Sequence, residues 1–113
     1  MRKLLALLAV LGLAACNAAE TGSNEEACGE ADTVVAQINE YREAGPLTSE
    51  QENTARQWEF RLAEAAIVAT DHDLSDHIRD LADAAGNVAA DMDDEDAMIM
   101  LDRIYDSVTE KCN

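Results

Sequence analysis

Two histidines and several aspartates cluster in the middle of the chain, and such side chains can bind a divalent transition metal. The cluster consists of Asp71, His72, Asp73, Asp76, His77 and Asp80. On a helix, Asp73, His77 and Asp80 share one face, and imidazole and carboxylate groups at this spacing are suitable metal ligands. A structural role is the competing interpretation, because aspartate favours helix starts and His77 adjoins the predicted core residue Ile78. We favour the structural role and expect no metal or other cofactor.

No arrangement of residues typical of an active site occurs elsewhere in the sequence. There is no nucleophile elbow, no glycine-rich phosphate loop and no His-Glu-x-x-His. Acidic residues are so frequent that their spacing cannot single out a general acid and a general base. We therefore expect a protein that is not an enzyme, and we nominate no catalytic residue.

The amino-terminal segment has the features of a secretion signal. Arg2 and Lys3 are basic, and residues 4–15 contain no polar side chain. As a helix, this apolar stretch would reach about 18 Å, well short of the ~30 Å hydrocarbon core of a bilayer. A basic start, a short apolar stretch and small residues at its end predict a signal peptide over residues 1–15.

The end of this signal carries the most specific motif in the chain. Leu13-Ala14-Ala15-Cys16 resembles the lipobox of bacterial lipoproteins, a likeness that covers residues 1–16 only. In that family the cysteine receives a diacylglyceryl group and the signal peptidase cuts before it. The resemblance implies that Cys16 becomes the lipidated first residue and attaches the protein to a membrane. Ordinary cleavage near Ala18 or Ala19, which would give a soluble secreted protein, is the alternative.

The same resemblance implies a place in the bacterial cell envelope. Asn17 follows the lipidated cysteine, whereas the family associates an aspartate at this position with retention in the inner membrane. In a bacterium with two membranes we therefore expect an outer-membrane anchor on the periplasmic side.

The charge of the chain restricts its partners. Removal of residues 1–15 takes away two of the 8 basic residues and none of the 24 acidic ones, so the mature chain has 6 basic residues and a net charge of −18. Such a surface repels phosphate backbones and anionic headgroups. We therefore exclude nucleic acid as a partner and expect another envelope protein.

Beyond the signal, the apolar residues recur with helical spacing. Residues 16–26 are predicted to form the lipidated cysteine and a flexible tether, and residues 27–113 a single acidic domain. Helices are expected over about 25–44, 48–69, 74–92 and 97–112. The fold class is all-α: a small antiparallel bundle of four helices, or of three if the second and third are one kinked helix.

The two cysteines of the mature domain are predicted to form a disulfide. Cys28 lies at the start of the first helix and Cys112 at the end of the last. In an up-down-up-down bundle these two points are at the same end, and disulfides persist outside the cytoplasm. Two unpaired thiols are the alternative.

Two helices carry more apolar residues than a simple bundle needs. Phe60 and Ile67 lie opposite the main stripe of the second helix, and Ile99 and Met100 lie beside the stripe of the last. These residues predict a surface for a partner protein or a homodimer, and a helix packed on two sides is the alternative. The leading functional hypothesis is thus a lipid-anchored protein-interaction module. An envelope protein that binds divalent cations is the second.

Overall fold

The computed structural model describes residues 24–113, and all regular structure within them is helical. The helices in chain order are α1 (24–44), α2 (Ser49–Arg56), α3 (Trp58–Val68), α4 (His72–Ala90) and α5 (Glu95–Cys112). The all-α prediction is confirmed. The predicted signal peptide, the predicted lipidation site Cys16 and most of the predicted tether lie outside the described residues.

Side-chain caps fix where three of the helices begin. At the start of α2, the Thr48 hydroxyl accepts a hydrogen bond from the Gln51 N–H at 3.2 Å, and the Gln51 side chain accepts from the Thr48 N–H at 3.0 Å. The Asp71 carboxylate accepts from the Leu74 N–H at 3.0 Å and begins α4, and Asp94 caps α5 in the same way. Each cap accepts a hydrogen bond from a backbone N–H of the first turn, which has no carbonyl partner within the helix.

The breaks between helices follow local sequence with one exception. Gly45, whose φ of +91° suits glycine, follows α1 directly. Residues 69–71 separate α3 from α4, so the alternative of one kinked helix is wrong. The unexpected irregularity is at Gln57, where the backbone N–H bonds the Thr54 carbonyl at 3.0 Å. This bond spans three residues instead of four, so it tightens one turn, and α2 and α3 together form a single arm of the bundle.

The start of the domain also differs from the prediction by a few residues. The predicted domain boundary placed positions 24–26 in the tether, but all three are helical, and α1 begins one residue before its expected start at about residue 25. The Asn24 side-chain oxygen accepts hydrogen bonds from the backbone N–H groups of Thr70 (2.8 Å) and Asp71 (3.1 Å). These two hydrogen bonds attach the start of α1 to the α3–α4 connection, so Asn24 is part of the folded domain.

Contacts at one end of the molecule establish the antiparallel arrangement. Asn24 of α1 meets the α3–α4 connection, and Lys111 of α5 lies 3.4 Å from Asp73 at the start of α4. The arms therefore alternate in direction along the chain, with α4 packed against both α3 and α5. Because α1 contacts α3 and α5 as well, α3 and α5 are diagonally opposite each other.

The predicted disulfide is present at this same end. Cys28 of α1 and Cys112 of α5 are bonded, and their Cα atoms are 6.0 Å apart. The bridge joins the first arm of the bundle to the last, as the alternation of directions requires.

The core is apolar, and many of its side chains are small. No polar or charged side chain among residues 24–113 is fully buried. The largest buried side chains come from all four arms: Val34, Ile38, Trp58, Leu62, Leu74, Ile78, Leu81, Val88, Met98, Leu101 and Val108. Alanines fill the space between them and allow the helices to approach closely. Among the described residues, no helix is both long enough and apolar enough to cross a membrane.

Candidate interaction surface

α3 buries one face completely and exposes the opposite one. Trp58 and Leu62 are fully buried, whereas Phe60 is 65% exposed and Ile67 is 74% exposed. The two exposed residues are seven positions apart, so they lie on one side of the helix, about 10 Å apart along its axis. Among residues 24–113, α3 packs against neighbouring helices on its flanks, but no helix covers Phe60 or Ile67.

Hydrogen bonds to the neighbouring helices fix which way α3 faces. On the α1 side, the indole N–H of Trp58 donates to Oε1 of Gln37 at 2.7 Å, and Arg61 forms an ion pair with Glu30. On the α4 side, the Ser75 hydroxyl donates to a backbone carbonyl of α3 at 2.6 Å. Held on both flanks, α3 cannot rotate to bury Phe60 without breaking these bonds.

A shallow groove of about 320 Å³ runs between α1 and α3 beside the exposed residues. This α1–α3 groove is lined by Glu26, Glu30, Arg61, Glu64, Ala65 and Val68. Val68 is itself 39% exposed. We call the exposed set Phe60, Glu64, Ile67 and Val68 the α3 outer face. Apolar side chains and carboxylates are therefore adjacent on this side of the bundle.

The carboxylates of the groove are unequally paired. Glu30 is neutralised by Arg61, the one basic side chain in the lining. Within the described part of the chain, Glu26 and Glu64 have no basic group within 4 Å. The groove therefore has excess negative charge next to exposed apolar surface.

Ile99 and Met100 form a second, separate surface. They are 55% and 48% exposed on α5. Since α5 is diagonally opposite α3, these two residues and the α3 outer face lie on different sides of the bundle. One partner helix cannot cover both surfaces.

The candidate metal ligands are not assembled into a site in the described part of the chain. His72, Asp73, Asp76 and Asp80 are exposed and His77 is half-buried, all on α4. Across residues 24–113, no three His, Cys, Asp or Glu side chains come together in a way that could hold a metal ion. Asp73 instead faces the Lys111 ammonium. Within the cluster, Asp71 has a structural role as the cap of α4.

A larger depression of about 780 Å³ lies at the opposite end of the bundle. Its lining includes Tyr41, Leu47 and Met92, the arginines 42 and 56, and the carboxylates of Glu52, Glu59, Asp91 and Asp93. The carboxylates outnumber the two guanidinium groups, and both signs of charge face the same space. Its net charge is negative, as in the α1–α3 groove, but none of the exposed large apolar side chains of residues 24–113 lines it.

α1 is also tied to α5 by a tyrosine. The Tyr105 hydroxyl donates to Oδ1 of Asp32 at 2.6 Å. Burial raises the pKa of the Tyr105 phenol above its ordinary value, and the hydrogen bond to Asp32 raises it further. This bond, together with the disulfide, holds α5 on the side of α1 away from α3.

The sequence identified Phe60 and Ile67 but missed the rest of this surface. Val68 lies at the end of the predicted helix, and the carboxylates of α1 meet α3 only through tertiary packing. A sequence signal existed in Glu64, which is four residues from Phe60 and three from Ile67 on the same side of the helix.

No known protein family, curated protein sequence or solved structure matches this chain.

Proposed function

We propose that this protein is exported, anchored to the bacterial envelope by a lipid on Cys16, and acts there as a non-enzymatic module that binds another protein. The binding surface is the α3 outer face. The observation that carries the proposal is the exposure of Phe60 and Ile67 on a helix whose opposite face is completely buried.

Large exposed apolar side chains point to an interface here because several of them lie on the same side of one helix. Single exposed apolar residues are common on protein surfaces, but contiguous patches mark interaction sites. Phe60, Ile67 and Val68 lie on one helix next to a groove. Burying a Phe or Ile side chain contributes about 1.5–3 kcal/mol, which is available to a partner that covers them.

The proposed anchor orients this surface. Cys16 and Asn24 are eight positions apart in the sequence, and a chain of that length reaches at most about 29 Å. The end of the bundle that contains Asn24, the disulfide and the α3–α4 connection would then face the membrane. Ile67 and Val68 are close to this end, and Phe60 is two turns farther out, so the partner is expected on the same membrane surface.

The binding proposal is tested in cells that produce the full-length protein. A photo-crosslinking amino acid is placed at Phe60, at Ile67 or, as a control, at the exposed α4 position Asp80. We expect the same crosslinked product from positions 60 and 67 and not from 80. Ile67→Gln in the chain that carries the crosslinker at 60 is expected to remove this product. Equal products from all three positions, or none from 60 and 67, would contradict the proposal.

The anchoring proposal has its own test. Cells are labelled with palmitate and separated into membrane and soluble fractions. The wild-type chain is expected to carry label and to sediment with membranes, and Cys16→Ala is expected to lose both properties. Label that persists in Cys16→Ala would show that Cys16 is not the site of acylation.

A further inference from the structure

We infer that the α3 outer face and the α1–α3 groove bind a cationic amphipathic helix of the partner protein. This inference rests on the proposed function, and it specifies the secondary structure and the charge of the partner segment that binds. It follows from three features of the surface: its shape, its charge, and the occupants that its charge disfavours.

The shape of the surface favours a helix. α3 is packed against α1 on one flank and α4 on the other, and its third side is open among the described residues. Phe60 and Ile67 form a ridge two turns long, beside the groove that Val68 helps to line. Helices pack by inserting ridges into grooves at interaxial distances of about 8–10 Å. A partner helix alongside α3 meets both the ridge and the groove.

The charge of the surface favours basic residues on that helix. Covering Phe60 and Ile67 brings the partner close to the Glu64 and Glu26 carboxylates, which have no basic group within 4 Å in the described part of the chain. An uncharged or acidic helix would desolvate these carboxylates without compensation. Lysine or arginine beside the apolar stripe of the partner pairs with them.

The same charge disfavours the two other occupants of this surface. A second copy would bring together two mature chains, each with a net charge of −18 once residues 1–15 are removed, with the Glu26 and Glu64 carboxylates of both at the contact. A bilayer rich in anionic lipid would face the same carboxylates. A basic partner is attracted by the field that repels these two.

The test uses three synthetic peptides of about 20 residues, long enough to form helix. The first has a leucine stripe flanked by lysines, the second has the same stripe flanked by glutamates, and the third is a scrambled version of the first. Binding to the mature chain with Cys16→Ala is measured by fluorescence anisotropy at about 0.15 M salt. We expect saturable binding of the first peptide only, with NMR shift changes confined to α3 and the facing side of α1.

Matched variants separate the apolar contribution from the charge contribution. Phe60→Gln with Ile67→Gln is expected to weaken binding of the first peptide at least about tenfold, whereas Ile99→Gln with Met100→Gln on α5 leaves it within about twofold. Glu26→Gln with Glu64→Gln is expected to weaken binding and reduce its salt dependence. Asp102→Asn with Asp106→Asn removes the same charge from α5 and serves as the control.

Several outcomes would overturn the inference. Equal binding of the cationic and scrambled peptides would show diffuse charge attraction, and equal binding of the cationic and anionic peptides would show that charge plays no part. If the protein dimerises in sedimentation and Phe60→Gln/Ile67→Gln abolishes the dimer, the occupant of the surface is a second copy. If the protein binds phosphatidylethanolamine–phosphatidylglycerol vesicles and the same variant abolishes that binding, the occupant is a membrane. If crosslinks form from positions 60 and 67 in cells while the cationic peptide fails, the inference falls and the proposed function stands.

Discussion

Cys28 and Cys112 are separated by 84 positions in the sequence, yet their Cα atoms lie 6.0 Å apart and a disulfide joins them. The bridge connects the two terminal arms of a bundle whose core contains many alanines. In the chain-entropy model, closing a loop of this length restricts the unfolded chain by about 4–5 kcal/mol. That is comparable with the whole net stability of a small domain.

We therefore expect Cys28→Ala/Cys112→Ala to lose about 4–5 kcal/mol of unfolding free energy. The measurement is urea denaturation followed by circular dichroism, with Cys16→Ala as the background so that no third thiol interferes. Alkylation of the native, unreduced protein is expected to modify neither Cys28 nor Cys112. An unchanged urea midpoint in the double variant would contradict the stabilising role.

Two aromatic residues of α3 provide a matched pair for a second prediction. Trp58 is fully buried, hydrogen-bonded to Gln37 and 5.4 Å from the Tyr41 ring, whereas Phe60 is 65% exposed. We expect Trp58→Ala to cost about 3–5 kcal/mol because it leaves a cavity, and Phe60→Ala to cost no more than about 0.5 kcal/mol. Thermal unfolding measures both. Comparable losses would mean that Phe60 is buried in solution.

Substitution of Gly29 and of Gly45 by alanine is expected to change the free energy of unfolding in opposite directions. Gly29 lies within α1, and a Cβ there meets no atom within 4 Å, so Gly29→Ala is expected to stabilise the domain by about 0.5–1 kcal/mol through helix propensity. Gly45 has a φ of +91°, which other residues rarely adopt, so Gly45→Ala is expected to destabilise by more than about 1 kcal/mol. Unfolding midpoints of the two variants test the contrast. A stabilising Gly45→Ala would contradict the assigned backbone conformation.

The raised pKa of Tyr105 makes stability depend on pH in the alkaline range. Burial and the Asp32 hydrogen bond favour the neutral phenol in the folded state. The unfolded chain therefore loses the Tyr105 proton at lower pH, so this contribution is complete below the ordinary pKa of 10.0 and declines as pH rises through the folded-state pKa. The ultraviolet absorbance of the wild type and of Tyr105→Phe is titrated with pH, and the difference between the two curves should have its midpoint above pH 10.0. A midpoint at or below that value would contradict burial as the cause.

The sequence predicted most of the helix boundaries because the signals for them are local. Capping side chains act on amides two or three residues away, and Gly45 ends α1 through its own backbone conformation. The cap of α4 is Asp71, and the adjacent Thr70 is of a residue type that also caps helices, so the sequence alone does not distinguish these two positions. The turn at Gln57 has no equivalent signal, since glutamine neither breaks nor caps a helix.

The candidate site was only partly predictable. Helical spacing placed Phe60 and Ile67 opposite the buried stripe of α3, but the same pattern fits a helix packed on both faces. The neighbours of α3 decide between these two arrangements, and they are selected by long-range burial. For the same reason, the sequence could not show that Ile99 and Met100 lie on a different side of the bundle from Phe60.

By itself, the sequence determined the all-α class and predicted the pairing of Cys28 with Cys112, but it left open whether the bundle has three helices or four. Periodicity, caps and the alternation of chain direction depend on near neighbours and on connectivity alone. Only the tertiary structure decided that Glu26 and Glu64 face the same groove and that Phe60 and Ile67 remain in solvent. The reason is that an apolar stripe specifies which face of a helix is buried, whereas the helices that cover its flanks are chosen by the packing of the whole core.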